Sequence, residues 1–303
     1  MCGKTQFTSF STPFNEAYHP ELDVTPLCDT EMISKFKSLI GSANWVITLG
    51  RFDIAYAVST LSRYTMAPRE GHFKAMERLF GYLAKYSKGQ IIIDTKVAPI
   101  RTKATFNIGA SWVEFYPDAC EDIPQDMPTS QGELATLTCF VDADHARDKV
   151  TCRSVTGIVL LLNNTPISWV SKWQKTVETS TYGSELVASR IAVDLLIEMR
   201  YKLRMLGVKI EDTSVLVGDN MSVVINTTLP SSSLKKKHQA CNYHCVREAI
   251  AAGFIIFGHI GSEINLADIC TKPLAAPSFH GLLRDYLFRR PKYIEETVAK
   301  KEE

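Results

Sequence analysis

The amino-acid sequence predicts an α/β fold in which a mixed sheet with flanking helices is preceded by a mainly helical segment. Between residues 136 and 170, three apolar, strand-like runs follow one another closely. Helix-like and strand-like segments then alternate as far as about residue 275. This order is typical of a mixed sheet with helices packed on it. Before residue 89, apolar residues recur at helical spacing, so that part of the chain is predicted to be helical.

The predicted helical segment covers residues 31–88 and follows an extended, proline-containing lead-in over residues 1–30. An apolar period of three to four residues predicts a first helix from Thr30. Asp53 is predicted to cap a second helix, and Pro68 is predicted to open a third.

The sheet is predicted over residues 135–275. Its strands are predicted at 136–141, 156–162, 167–170, 214–217 and 254–259. Its helices are predicted at 182–206, after Asn220, at 239–252 and from about 264. Residues 89–134 are rich in proline and acidic residues and are predicted to be a linker with short strands. Residues 276–303 are predicted to form a C-terminal helix and a charged tail.

The composition is that of a folded globular protein, with 45% hydrophobic and 22% charged residues. The net charge of +1 gives no sign of a nucleic-acid partner, so any basic surface must be local. No apolar run reaches the roughly 18 residues that a bilayer span needs, and no membrane partner is expected. The eight cysteines, without a signal-peptide pattern before them, indicate reduced thiols in an intracellular protein.

One group of metal-ligand residue types occurs near residue 240. It consists of His238, Cys241, His244 and Cys245. Paired Cys-x-x-Cys spacing is absent, and one helix cannot arrange four ligands tetrahedrally around an ion. We therefore do not expect a structural zinc ion there.

Four acidic residues lie near predicted strand ends and within predicted helices. Asp142 ends the first strand, Asp219 ends the fourth, Glu185 lies in the first turn of the long helix, and Asp268 lies on the last helix. Phosphodiester hydrolysis needs an activated water and charge neutralisation, which two divalent cations roughly 3.5–4 Å apart supply. Mg²⁺ prefers oxygen ligands, so acids from separate elements suit it. An aspartate after a strand is, taken alone, more often a helix cap or a turn former, and Glu185 alone is an ordinary first-turn glutamate.

Seven short motifs follow one another between residues 138 and 274. They are VDADHA (141–146), RSVTG (153–157), PISW (166–169), SKWQKT (171–176), SELVA (184–188), GDNMS (218–222) and LADICTKPL (266–274). In this order they resemble the ribonuclease H domain of copia-type LTR-retrotransposon Pol polyproteins. The resemblance implies a ribonuclease H-like mixed five-stranded sheet with flanking helices.

The resemblance also implies an activity, which is cleavage of the RNA strand of RNA–DNA hybrids by a two-metal mechanism. The implied metal ligands and catalytic acids are Asp142, Glu185, Asp219 and Asp268. The implied cofactor is a pair of Mg²⁺ ions, for which Mn²⁺ can substitute.

Two further residues near these acids are candidates for the site. Asp144 faces the same way as Asp142 on an extended strand, so it could assist or replace that ligand. His259 precedes the last acid by nine residues, and the resemblance implies a catalytic role in moving water or product. The alternative for His259 is a strand-end histidine held by a backbone carbonyl.

Polar and basic residues near the acids are predicted to contact nucleic acid. They are Lys172, Lys175, Lys235, Lys236, Lys237, His238 and Asn220. The run at 235–238 resembles the family's basic-histidine segment before the penultimate helix, although Ala240 and Asn242 depart from the usual pattern there. The alternatives are a solvated loop at 235–238, an exposed hairpin edge at 172–175 and a helix cap at Asn220.

Four more motifs lie in the helical segment. They are SLIGS (38–42), RFDIAYAV (51–58), PREGH (68–72) and LFGYL (79–83). They resemble the region after the polymerase palm in the same polyproteins, which implies a thumb or connection remnant of reverse transcriptase in residues 31–88. The paired-aspartate polymerase motif is absent upstream, so no polymerase activity is expected.

The chain is therefore interpreted as a C-terminal Pol fragment. Its expected partners are an RNA–DNA hybrid and, in an intact element, the remaining Pol polyprotein with its reverse transcriptase palm. Its expected location is the cytoplasm, in a virus-like particle, or the nucleus. The alternative is a catalytically decayed, nucleic-acid-binding remnant of the polyprotein.

Overall fold

The fold is described by a computed structural model that covers residues 8–234 and 236–289. The chain divides into two compact units. The first contains the described residues up to Ile92, the short segment Asp148–Thr151, and the described residues from Lys272 onward. The second contains Ile93–Arg147 and Cys152–Thr271.

The helices and strands are numbered in chain order. The α-helices are α1 (Thr30–Thr48), α2 (Ala55–Ser62), α3 (Glu70–Lys85), α4 (Ile100–Lys103), α5 (Thr181–Met205), α6 (Met221–Thr228), α7 (Ala240–Ala251) and α8 (Ala276–Leu283). The strands are β1 (Gln90–Ile91), β2 (Thr105–Phe106), β3 (Gln131–Ala135), β4 (Leu137–Asp144), β5 (Val155–Leu162), β6 (Thr165–Trp173), β7 (Val208–Ile210), β8 (Ser214–Gly218), β9 (Ile255–His259) and β10 (Leu287–Phe288). Short 3-10 turns lie at Pro20–Leu22, Phe52–Ile54, Lys237–Gln239, Ser262–Ile264 and Leu266–Cys270.

The first unit is built on α1, α2 and α3, the helices that its apolar spacing predicts. Asp29 caps α1, because its Oδ1 accepts a hydrogen bond from the Met32 amide over 2.8 Å. The three helices bury Phe36, Leu61 and Met76 completely. The strand pair β1–β10, which is antiparallel, and helix α8 belong to the same unit.

Asp53 does not cap the second helix, so that prediction is wrong. Helix α2 follows the 3-10 turn directly, and its N-cap residue Ile54 makes no side-chain capping bond. Asp53 is instead buried and accepts hydrogen bonds from the Arg51 guanidinium (Nη2–Oδ2, 2.9 Å) and from the Tyr82 hydroxyl. A carboxylate buried this deeply needs a cation and hydrogen-bond donors, and Arg51 supplies both.

The second unit contains a six-stranded mixed sheet in the order β2-β9-β8-β4-β5-β6. Strands β4, β5 and β6 are antiparallel neighbours, whereas β8 runs parallel to β4, and β9 runs parallel to β8. All five predicted strands are present, and the predicted α/β class with a mixed sheet is confirmed. The additional strand β2 pairs antiparallel with β9 over two residues. So short a strand leaves no periodicity for a sequence pattern to show.

The side chains of β4 alternate between the two faces of the sheet. Cys139 and Val141 belong to the hydrophobic core that Leu186 of α5 also enters. Asp142 therefore faces the opposite side, on which the turn Leu266–Cys270 packs against β4 and β5. The two acid-bearing elements α5 and Leu266–Cys270 thus approach the same strand from different sides.

The last predicted helix of the sheet region is absent. In place of a helix from about residue 264, the chain forms the 3-10 turns Ser262–Ile264 and Leu266–Cys270. The side chain of Asn265 starts the second turn by accepting a hydrogen bond from the Ala267 amide over 3.2 Å. Pro273 lacks the amide hydrogen that a continuing helix would need.

Residues 93–134, predicted as part of a linker, belong to the second unit. Glu121 accepts hydrogen bonds from Arg200 (Nε–Oε1, 2.7 Å) and from Arg204 (Nη2–Oε2, 2.8 Å). Arg247 donates a hydrogen bond to the Tyr116 hydroxyl over 3.3 Å. The acidic residues of the predicted linker therefore include one, Glu121, that is held against α5.

The predicted C-terminal helix and tail, residues 276–303, are described in part. Helix α8 occupies Ala276–Leu283, β10 follows it, and both belong to the first unit. Residues 290–303 lie outside the described part of the chain. Within the described residues, no helix has both the length and the apolarity that crossing a bilayer requires.

The Glu121 ion pairs predict how stability depends on pH. Burial raises the pKa of the Glu121 carboxyl, but the hydrogen bonds and charges of Arg200 and Arg204 outweigh burial and lower it from 4.5 to about 2. Because the folded pKa lies below the unfolded one, the contribution is complete above pH 4.5 and is lost as the pH falls towards 2. We expect Glu121→Gln to lower the free energy of unfolding at pH 7 by on the order of 2 kcal/mol.

This prediction is checked by urea unfolding between pH 2 and pH 7, with Glu198→Gln as the control. Glu198 pairs with Lys202 one helical turn away, and both side chains are 57% exposed. The control should change stability by no more than about 0.5 kcal/mol. An unchanged pH dependence in Glu121→Gln would contradict the assigned role.

Candidate metal centre

Three carboxylates meet at one edge of the mixed sheet. Asp142 and Glu185 are buried, Asp219 is half-buried, and their oxygens lie within 4.8 Å of one another. Asp142 comes from β4, Glu185 from α5, and Asp219 follows directly after β8. This is the one such group of metal-ligating side chains among the residues that the structure describes.

The register of two parallel strands brings Asp142 and Asp219 together. Phe140 of β4 is paired with Val217 of β8, and each acid lies two residues further along its chain. The sequence correctly places Asp219 just after its strand. It wrongly ends the first strand at Asp142, because β4 continues to Asp144.

Glu185 is positioned by the start of α5. Ser180 caps this helix, and the buried side chain of Gln174 donates hydrogen bonds to the Ser184 carbonyl (2.9 Å) and to Thr156 Oγ1 on β5 (3.0 Å). The first turn of α5 is thereby tied to the sheet. Negative charge near a helix N-terminus is also favoured by the helix dipole.

The loop after β9 holds Asp219. Ser262 Oγ donates a hydrogen bond to Asp219 Oδ2 over 2.7 Å. His259 lies at the end of β9, half-buried, with its Nε2 3.1 Å from the backbone carbonyl of Asp219. Because a carbonyl only accepts, this nitrogen carries a hydrogen, and Nδ1 is the acceptor of the neutral ring. This placement matches the alternative given for His259, a histidine at the end of a strand that is held by a backbone carbonyl.

Asp268 lies outside the group of three. It is buried on the turn Leu266–Cys270, and its carboxylate does not join the three whose oxygens lie within 4.8 Å. Thr271 links the turn that carries Asp268 to the group, because its hydroxyl donates a hydrogen bond to Asp142 Oδ2. The same hydroxyl lies 3.2 Å from the backbone carbonyl of Asp268.

Asp144 is also outside the group of three. It ends β4, is half-buried, and has Arg147 Nε at 3.7 Å from its Oδ2. Alternation along the strand places it on the same face as Asp142, as predicted. The nearby guanidinium favours a role for Asp144 in a partly buried ion pair with Arg147.

The donor set fits a divalent cation. Three carboxylates from separate elements offer hard oxygen ligands within 4.8 Å of one another, the ligand type that Mg²⁺ and Mn²⁺ prefer. The neighbouring Thr271 and Ser262 hydroxyls bond to two of these acids and carry no charge. The residues that could hold the ions are therefore Asp142, Glu185 and Asp219, with Asp268 adjacent through Thr271.

Part of the predicted basic surface lies next to α5. Lys236 Nζ is 2.5 Å from Ser180 Oγ, the cap of α5, and 3.3 Å from Thr179 Oγ1. Lys237 and His238 are exposed, and so are Lys172 and Lys175. Lys235 lies outside the described residues.

Asn220 caps α6, because its Oδ1 accepts a hydrogen bond from the Val223 amide over 3.2 Å. This is the helix-cap role that the sequence offers as the alternative to nucleic-acid contact.

Glu178 holds the segment 236–239, which carries Lys236, Lys237 and His238, in its position. This residue was not among the predicted site residues. Its buried carboxylate accepts hydrogen bonds from Gln239 Nε2 (2.5 Å) and Thr176 Oγ1 (3.1 Å). His238 Nε2 is 3.4 Å from the same carboxylate. The segment 236–239 is therefore anchored to the loop before α5, a few residues from Glu185.

The sequence is similar to transposon polyproteins of plants. It is 27% identical over 249 residues to the retrovirus-related Pol polyprotein from transposon RE1 of Arabidopsis thaliana, covering 81% of this chain and 14% of that protein. It is 25% identical over 244 residues to the Pol polyprotein from transposon TNT 1-94 of Nicotiana tabacum, covering 80% of this chain and 16% of that protein. These matches confirm the resemblance to copia-type Pol polyproteins. The chain spans only a small part of their length, and no protein-family model matches it.

Solved ribonuclease H structures are also similar to part of the chain. The structure of LC11-RNase H1 in complex with an RNA/DNA hybrid matches with a TM-score of 0.37 and 15% identity, covering 45% of this chain and 94% of that one. The N-terminal ribonuclease H domain of a Mycobacterium tuberculosis protein matches with a TM-score of 0.36 and 10% identity, covering 50% and 97%.

Proposed function

We propose that the second unit is a ribonuclease H that cuts the RNA strand of RNA–DNA hybrids during retrotransposon reverse transcription. The observation that carries this proposal is the convergence of Asp142, Glu185 and Asp219 at one sheet edge. These acids belong to the motifs VDADHA, SELVA and GDNMS, in the order found in the copia-type domain. The order of the motifs does not by itself require that the three acids meet in space. Their convergence is therefore separate support for the proposal.

The three converging acids hold the proposed cofactor, a pair of Mg²⁺ or Mn²⁺ ions. When bound, the ions supply an activated water and neutralise charge at the scissile phosphate. Asp268 is the proposed fourth ligand, adjacent to Asp142 through Thr271. His259 has Nε2 against the Asp219 carbonyl, so its Nδ1 is the atom that would accept a proton from water or product.

The basic residues that the sequence singles out are proposed to contact the hybrid's phosphates. They are Lys172, Lys175, Lys235, Lys236, Lys237 and His238, with Asn220 next to Asp219. Selectivity for the hybrid would come from 2′-hydroxyls and helix shape, so we expect little sequence preference. In an intact element, the partner would be the rest of the Pol polyprotein with its palm, in a cytoplasmic virus-like particle or in the nucleus.

The direct test is Mg²⁺-dependent cleavage of a labelled RNA–DNA hybrid. We expect Asp142→Asn and Asp219→Asn each to lower the rate by about 100-fold or more, because each removes a charged metal ligand. Asp194→Asn is the matched control, since Asp194 lies on α5, is 46% exposed and pairs with Arg190. The control should cut at close to the wild-type rate.

Three outcomes would contradict the proposal in different ways. Full activity in Asp142→Asn and Asp219→Asn would refute the site. Binding of the hybrid by the wild type without any cleavage would instead support a decayed, nucleic-acid-binding remnant. Cleavage of duplex DNA as fast as of the hybrid would refute the substrate selectivity alone.

The basic segment has its own test in the salt dependence of hybrid binding. Lys237 is exposed, and a phosphate contact there should contribute close to one released counterion. We expect Lys237→Ala to weaken binding and to reduce the slope of log K against log salt by about 0.9, whatever the base sequence. Lys202→Ala is the control, because Lys202 is exposed and already paired with Glu198. Equal slopes in Lys237→Ala and the wild type would show that this residue is only a solvated loop lysine.

A further inference from the structure

Thr271 donates a hydrogen bond to an acid of the candidate metal centre, on the face of the sheet against which the turn Leu266–Cys270 packs. It follows the turn Leu266–Cys270 and is completely buried. Its hydroxyl donates a hydrogen bond to Asp142 Oδ2 and lies 3.2 Å from the backbone carbonyl of Asp268. An ionised carboxylate can only accept, so the threonine hydroxyl is the donor of the bond to Asp142.

The approach of Thr271 depends on a glycine in the neighbouring strand. Gly157 of β5 is paired with Asp142 of β4. A Cβ atom on Gly157 would lie 2.5 Å from Thr271 Cγ2 and 2.6 Å from the backbone oxygen of Ala267. Only the absence of a side chain at this position lets the turn lie directly on the strand pair.

Asn265 fastens the other end of the same turn. It is completely buried, and its Nδ2 donates a hydrogen bond to the Val141 carbonyl over 3.0 Å. The turn that carries Asp268 is therefore bonded to β4 at two successive residues, Val141 through Asn265 and Asp142 through Thr271. These bonds fix the turn against the strand that bears the metal-site acid.

We propose that Thr271 is a positioning residue for Asp142 as a metal ligand. Its hydrogen bond restricts rotation of the Asp142 carboxylate, and its packing holds the turn that carries Asp268 against β4 and β5. Partners that orient a ligating carboxylate in this way strengthen metal binding. The inference rests on the proposed function, since it requires that Asp142 bind a divalent cation.

The alternative is that Thr271 only fills space between the turn and β5. Two substitutions separate these roles. Thr271→Val keeps the shape of the side chain and removes the hydroxyl, whereas Thr271→Ser keeps the hydroxyl and removes the methyl group that faces Gly157. A packing role predicts greater harm from serine, and a positioning role predicts greater harm from valine.

The test is calorimetric titration of the whole chain with Mn²⁺ in the absence of nucleic acid. We expect Thr271→Val to weaken Mn²⁺ binding by about 10-fold or more, and Thr271→Ser to recover most of that loss. The matched control is Thr227→Val. Thr227 is also completely buried, but its hydroxyl bonds to the Val223 carbonyl over 2.8 Å within α6. The control should bind Mn²⁺ as the wild type does.

The outcomes distinguish this inference from the function on which it rests. If the wild type takes up no Mn²⁺ at the acids, the proposed function and the inference are both wrong. If the wild type binds and Thr271→Val binds with the same affinity, the inference alone is overturned. Circular dichroism establishes that each variant is folded. If Thr271→Val does not fold, Thr271→Ala replaces it, and binding by Thr271→Ala equal to that of Thr271→Ser would overturn the inference.

Discussion

The parallel register between β4 and β8 fixes the geometry on which the candidate site depends. Because Phe140 is paired with Val217, the acids two residues further along the two chains reach the same sheet edge. Carboxylates brought together repel one another, so mutual attraction cannot create such a group. The backbone pairing holds Asp142 and Asp219 in place, and the packing of α5 adds Glu185. A slip of one residue would turn Asp142 to the opposite face of the sheet.

Such a group has an electrostatic cost for the fold, and hydrogen bonds from neighbouring hydroxyls reduce that cost. Thr271 and Ser262 each donate a hydrogen bond to one acid of the group, and neither brings a positive charge. A divalent cation that binds the folded state and not the unfolded one would offset the repulsion and stabilise the unit. Elsewhere in the chain, Arg51 neutralises the buried carboxylate of Asp53 within the protein.

Much of the fold could be predicted from local patterns in the sequence. Long elements with clear periodicity, such as α1, α5 and the five main strands, are found close to where they were expected. The two-residue strand β2 is too short to show a pattern, and it exists because β9 offers an edge to pair with. Asp53 has the sequence environment of a helix cap, and only the distant Tyr82 and the nearby Arg51 reveal its buried role. Contacts between distant residues thus account for most of the differences.

The acids of the candidate site could be predicted from the sequence. The residues that position these acids could not. Motif order singles out Asp142, Glu185, Asp219 and Asp268, and the structure brings the first three together. Thr271 and Gly157 lie inside the recognised motifs, but their contact joins a strand to a turn more than a hundred residues away along the chain, which no local spacing encodes. Glu178 was not predicted because its partner Gln239 lies 61 residues away along the chain. Both cases are buried contacts between separate elements.

The converging acids Asp142, Glu185 and Asp219 are proposed to form a divalent metal centre. Anomalous diffraction from crystals of the chain soaked in Mn²⁺ tests this proposal most directly, because manganese is located without reference to activity. We expect an anomalous peak at the sheet edge, at coordinating distance from carboxylate oxygens of Asp142 and Asp219. A saturating soak that leaves this edge without a peak would contradict the proposal, whether or not manganese binds elsewhere on the chain.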